Sequence, residues 1–178
     1  MSAHAELREA TREAHDAIDA AFSALNLGER DDYAAFLTAH AMAFLPVEQA
    51  LADSGADELF PGWLGARRAD LLLADLDALG IAVPPPEQAP TYADRAALLG
   101  GLYVIEGSRL GGKLLRREVG EGLSAGFLNA ETPPGHWRAF LAILDRLIYS
   151  GSEQRGATDA AIHTFQFFGR AAGRVIER

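Results

Sequence analysis

His15 and Arg8 are the first residues in the chain whose types and spacing suggest chemistry. Seven residues turn a helix through about 700°, so the two side chains nearly eclipse, about 10 Å apart along the axis. A neutral imidazole ligates metals and a guanidinium pairs with carboxylates, so a metal ligand and an anion partner could share one flat ligand lying on this helix. Thr11, Ile18 and Phe22 fall along the same side, and the two apolar members could line such a ligand. Spacing alone leaves a plainer alternative open, because a lone helical histidine is most often a surface or core residue. His4, His40, His136 and His163 take no ligand role: His4 lies near a fraying end, His136 follows a Pro-Pro-Gly turn, and His40 and His163 sit within helices.

The second concentration is of glycine. Gly100, Gly101, Gly107, Gly111 and Gly112 fall in a stretch that otherwise reads as helix, where each costs about 1 kcal/mol relative to alanine. Gly100, Gly107 and Gly111 lie within about 40° of one another, beside Tyr103, Val104, Leu114 and Leu115. Such a bare strip signals close approach by a partner. Another helix fits, since small residues at i and i+4 admit close packing, and so does a flat ligand pressed onto the backbone. On the opposite side Arg109, Lys113 and Arg116 fall within about 60° of each other. They form a cationic face that is either simply solvated or docks an acidic protein.

Helical periodicity supplies the elements that must position these groups. A first helix is predicted from near Ser2 to near Leu25, with Leu7, Ala14, Ile18, Ala21, Phe22 and Leu25 as its apolar stripe. Asp31 or Asp32 caps a second, carrying Tyr33, Phe36, Leu37, Phe44, Val47 and Leu51 and kinked at Pro46. A third spans Ala66 to Leu79 and ends in a loop rich in proline at Pro84-Pro85-Pro86. The glycine-bearing fourth runs from about Tyr92 to Val119, a fifth follows Pro133-Pro134 to about Tyr149, and a sixth runs from about Thr158 to Ile176.

The expected fold is therefore all-α, in a single domain over residues 1–178, a length that buries a sizeable core when nearly half the residues are apolar. A net charge of −9 argues against nucleic acid or an anionic membrane as partner. The absence of cysteine excludes disulfides, thiolate metal sites and cysteine nucleophiles. No basic region followed by an apolar run opens the chain and no apolar stretch approaches about 20 residues, so a soluble cytoplasmic protein is expected.

Taken together, Leu7-Arg8-Glu9-Ala10-Thr11-Arg12-Glu13-Ala14-His15 resembles the proximal segment of the haem oxygenase family, and Tyr103-Val104-Ile105-Glu106-Gly107-Ser108-Arg109-Leu110-Gly111-Gly112 resembles its distal segment. The likeness extends more loosely to Ala161, Phe165 and Phe168. The resemblance implies a helical bundle with haem between the two segments. His15 is then the axial ligand of the iron, Arg8 a propionate partner, Tyr103 a further haem-binding residue, and Gly107, Ser108 and Gly111 the distal, catalytic wall. Arg138 and Arg146 on the fifth helix are further candidates for the propionates. Animal enzymes carry an aspartate where this chain has Ser108, whereas the Glu-Gly-Ser-x-Leu-Gly form is similar to bacterial members, including those that supply biliverdin to phytochromes.

The implied reaction reduces the iron, binds O2 and directs the activated oxygen at a meso carbon of the same porphyrin, giving biliverdin, carbon monoxide and ferrous iron. A ferredoxin or flavodoxin is the implied electron donor, with protons delivered by Ser108, backbone groups or ordered waters. The alternative from another class is a non-catalytic haem carrier or sensor using the same residues. A thiaminase-like relative is disfavoured because its usual nucleophile is cysteine, and a di-iron site would have to be assembled from Glu48, Glu106, Asp159 and His163 without a Glu-x-x-His pair.

Overall fold

The computed structural model describes residues 2–176, which form helices and no strands. Seven α-helices occur among them: α1 (Ala3–Phe22), α2 (Arg30–Asp53), the single-turn α3 (Ala56–Leu59), α4 (Ala69–Ala78), α5 (Arg95–Leu115), α6 (His136–Leu147) and α7 (Gly151–Ile176). Short 3₁₀ turns occupy Trp63–Ala66 and Arg116–Glu118. The first, second, fourth and fifth predicted helices correspond to α1, α2, α5 and α6 within a few residues at each end. The third begins at Ala69, since Trp63–Ala66 winds separately as a 3₁₀ turn.

Helix starts follow from capping chemistry. Asp94 accepts a hydrogen bond from the Ala97 amide at 2.8 Å, so α5 opens there and not at Tyr92. α7 starts seven residues earlier than Thr158: the Glu153 amide donates to Ser150 Oγ at 3.2 Å and the Ser150 amide to Glu153 Oε2 at 3.1 Å, a reciprocal capping box. Neither Asp31 nor Asp32 caps α2, which is flanked by Glu29; Asp32 instead accepts from the Asn26 amide at 2.7 Å and braces the preceding turn. The buried Glu48 carboxylate reaches across from α2 and accepts from the Arg68 and Ala69 amides at 2.8 and 3.0 Å, capping α4 from another helix.

α7 is the axis of the bundle, packing against α1, α2 and α5. Its buried face combines small residues, Ala157, Ala161 and Ala172, with the large Phe165 and Phe168, and α5 approaches closely at Ala157. Tyr33, Phe36, Phe44, Leu51, Leu99, Leu102, Phe140 and Leu144 fill the rest of the core. Among the described residues no helix is long and apolar enough to cross a membrane.

His40 is partly buried against this core as an aromatic neighbour of Phe22, Phe36, Phe127 and Phe168, its Nδ1–H donating to the Phe36 carbonyl at 2.9 Å. Burial pushes its pKa down from 6.5 to about 4, helped by the positive charge of Arg68. The unfolded chain therefore binds the proton first as pH falls, and the stability that His40 contributes above pH 6.5 is lost between there and pH 4, at most about 3 kcal/mol. Urea unfolding of His40→Gln should show a correspondingly smaller loss of stability than wild type over that interval; identical pH slopes would refute this.

Candidate functional site

On α1, Leu7 and Thr11 are buried, and the Thr11 hydroxyl returns a hydrogen bond to the Leu7 carbonyl at 2.8 Å. This seats one side of the helix and leaves His15 beside it with a side chain 57% exposed. The imidazole stands edge-on to Phe165 of α7, ring centroids 5.7 Å apart, with Nδ1 3.3 Å from Asp19 Oδ2. A proton on Nδ1 facing that carboxylate leaves the Nε2 lone pair free, the tautomer an iron ligand requires. Arg8 is exposed on the same helix. Tyr103 of α5 lies close to Thr11 and Arg8, and burial raises its hydroxyl pKa against the lowering effect of those two residues.

The glycine strip of α5 divides into two parts. A Cβ on Gly100 would stand 2.2 Å from the Ala157 carbonyl oxygen of α7, and one on Gly101 would stand 2.4 Å from the Tyr92 ring. Those two glycines serve helix packing. Gly107 has only the Trp137 indole of α6 nearby, 3.6 Å from where a Cβ would stand, and Gly111 has nothing within 4 Å. Along one helix face the partner is thus α7 at Gly100, α6 at Gly107 and open space at Gly111. Leu110 and Leu114 flank that opening with 49% and 61% exposure, an uncovered apolar surface near the C-terminal end of the helix.

Behind this wall α5 is bolted down by buried charge. Glu106 accepts from Trp63 Nε1 at 2.8 Å, Arg109 Nε at 2.7 Å and His136 Nε2 at 2.6 Å. Burial alone would raise the Glu106 carboxyl, but these donors outweigh it and hold the pKa below the ordinary carboxylate value. Arg109 also donates to the Ala66 carbonyl. The solvated cationic face drawn through Arg109, Lys113 and Arg116 is therefore corrected: Arg109 is 6% exposed and committed to Glu106, because the 3₁₀ turn Trp63–Ala66 covers that side of the helix. Arg68 donates to Ser108 Oγ at 2.7 Å and to the Ile105 carbonyl at 2.8 Å, with its guanidinium over the rings of Phe44 and Phe127. Burial, together with repulsion from Arg109, lowers its pKa to about 9.

The family model for heme oxygenase matches residues 1–173. The chain belongs to the haem oxygenase family. It is 35% identical over 150 residues to the heme oxygenase PigA of Pseudomonas aeruginosa, covering 79% of this chain and 75% of that one. It is 34% identical over 150 residues to a heme oxygenase of Xanthomonas campestris, covering 79% and 88%. Among solved structures, the NO- and CO-bound heme oxygenase of Neisseria meningitidis superposes with a TM-score of 0.85 over 99% of this chain and 93% of its own, at 23% identity. The heme oxygenase of Leptospira interrogans gives 0.77 over 98% and 100%, at 20% identity. These two share the fold. As a haem oxygenase the protein is an oxidoreductase whose substrate is haem.

The residues present fit that substrate. The bare, apolar surface at Gly111 leaves room for a flat macrocycle against the helix backbone. Arg8 and Thr11 of α1 lie beside Tyr103 of α5, with His15 one helical turn beyond Thr11, whereas Arg138 and Arg146 lie exposed on α6. Sequence reasoning missed Arg68, Glu106, Trp63, His136 and Trp137. Arg68 and Trp63 lie some forty residues before the groups they bond on α5, and no local pattern links them.

Proposed function

We propose that this haem oxygenase holds its substrate between α1 and α5, with His15 Nε2 on the iron, Asp19 fixing the imidazole through Nδ1, and Arg8 and Tyr103 serving the propionates. The observation that carries this reading is the open face at Gly111, flanked by Leu110 and Leu114, on the same side of α5 as Tyr103, whose ring reaches α1 one helical turn before His15. Haem, once bound, supplies both the iron and the carbon that is oxidised. Gly111 lets its plane approach the helix backbone beside the Trp137 indole that covers Gly107, and Leu110 and Leu114 keep water off it. Asp19 makes the imidazole a better donor without the strong electron push of a thiolate. Titration with ferric haem followed by reductant and oxygen tests the site as a whole: loss of the Soret band with biliverdin as product is expected, and a Soret band that persists would leave a haem carrier.

Arg68 is the proposed source of polar order on the distal side. It is a buried cation whose Nη2 holds both Ser108 Oγ and the Ile105 carbonyl, and its Nε has no partner among the described residues. A group so placed orients the serine hydroxyl and offers a donor to water entering the cleft. Ser108 itself donates to the Ile105 carbonyl at 2.7 Å, the local backbone bond common for a helical serine. Single-turnover ring opening should therefore slow about 10- to 100-fold in Arg68→Met, the range seen when outer-shell partners are removed. In Ser108→Ala it should change by no more than about threefold, since Arg68 keeps its carbonyl contact. The reverse ranking of the two variants would assign the role to the serine.

A further inference from the structure

α6 is tied at both ends, and each tie goes to a different wall of the cleft. At its first residue His136 Nε2 donates to Glu106 Oε2 of α5 at 2.6 Å, and the next residue, Trp137, covers Gly107 and lies 5.8 Å from the Tyr103 ring. Near its last turn Asp145 Oδ1 accepts from the His4 amide of α1 at 2.9 Å, and Asp145 Oδ2 lies 3.1 Å from His4 Nδ1. Ser2 Oγ meets the same ring nitrogen at 3.0 Å. The helix is preceded by Gly135 in the left-handed region, φ 78°, and followed by the extended Ile148, so both connections are free of helical continuity. Along α5 it occupies the place between the closed packing at Gly100 and the open face at Gly111, which makes it the wall adjoining the substrate.

The two ties are unequal. In the Glu106–His136 pair the side chains are 0% and 11% exposed and lie within the Trp63–Arg109 network. In the His4–Asp145 pair they are 38% and 34% exposed and the partners are few. Charge-assisted hydrogen bonds are strong when buried and weak when solvated. We infer that α6 is a hinged wall of the haem cleft, pivoting at the buried Glu106–His136 tie and caught by the exposed His4–Asp145 tie, so that His4 and Asp145 are positioning residues governing the passage of haem in and of its product out. The inference rests on the cleft assignment above.

Two measurements separate this inference from that assignment. In the haem-loaded protein, transfer of haem to apomyoglobin should quicken about fivefold in Asp145→Ala, the weight of one exposed pair. It should quicken less in Asp145→Asn, which keeps an acceptor for the His4 amide, and no further in the double variant with His4→Ala. The Soret maximum should stay unchanged, because His15 is not touched. In the unliganded protein, amide exchange in residues 136–147 should quicken in Asp145→Ala while that of α2 and α7 does not. Unaltered exchange in α6, or haem transfer within twofold of wild type despite faster exchange, would overturn the hinged wall. Failure of wild-type protein to take up haem would instead overturn the cleft assignment, and the exchange comparison would still decide whether Asp145 holds α6.

Discussion

His15→Ala is expected to abolish the spectrum of a histidine-ligated ferric haem complex and to slow haem turnover by more than about 100-fold, since loss of an outer-shell partner alone costs 10- to 100-fold at such sites. The change should leave the unliganded fold nearly untouched. The side chain is 57% exposed and faces Asp16, Asp19 and the edge of Phe165, and surface pairs of this kind contribute little to stability. Imidazole in the buffer should restore part of the spectrum by entering the space vacated. Thermal melts of the unliganded variant, absorption spectra with ferric haem and single-turnover assays read these outcomes separately. An unaltered Soret band would move the ligand elsewhere. His40 does not take its place, because its ring is packed among four phenylalanines.

Substitutions along the glycine strip should give opposite results at its two ends. Gly111→Leu adds a side chain where nothing lies within 4 Å, so the unliganded protein should gain up to about 1 kcal/mol from better helix propensity. The same side chain stands on the open face proposed for the macrocycle, and haem affinity should fall by more than about 30-fold, the scale of a core-sized steric conflict. Gly100→Ala adds only a methyl group, yet it would stand 2.2 Å from the Ala157 carbonyl oxygen and force α5 away from the central helix. Overpacking of that kind costs about 3 kcal/mol, and the melting temperature should drop by about 6 to 12 °C for a chain of this size. Haem binding by Gly111→Leu equal to that of wild type would remove the open face from the site. A stable Gly100→Ala protein would show that α5 and α7 have room to part.

Several features missed in the sequence were nevertheless written there. Ser150 and Glu153 have the S-x-x-E spacing of a capping box and mark the true start of α7, and Asp19 stands four residues after His15, within reach on one helix face. Others have no local signature. α3 and the 3₁₀ turn at Trp63–Ala66 are too short to show a period, and Arg68, His136 and Trp63 reach α5 only because intervening loops return them to it. Arg109 is the sharpest case. Its helical position groups it with Lys113 and Arg116, but Glu106 three residues earlier and the covering turn withdraw it from solvent.

By itself the sequence determined the all-helical class, the shared side of His15 and Arg8 and the bare strip on α5, because each depends on the 3.6-residue period within one helix. Tertiary structure alone decided that Gly100 is filled by α7, Gly107 by Trp137 and Gly111 by nothing. The spacing places all three on one face, whereas what covers a face depends on how segments distant in the chain cross it. That crossing separates the glycines covered by neighbouring helices from the one left open.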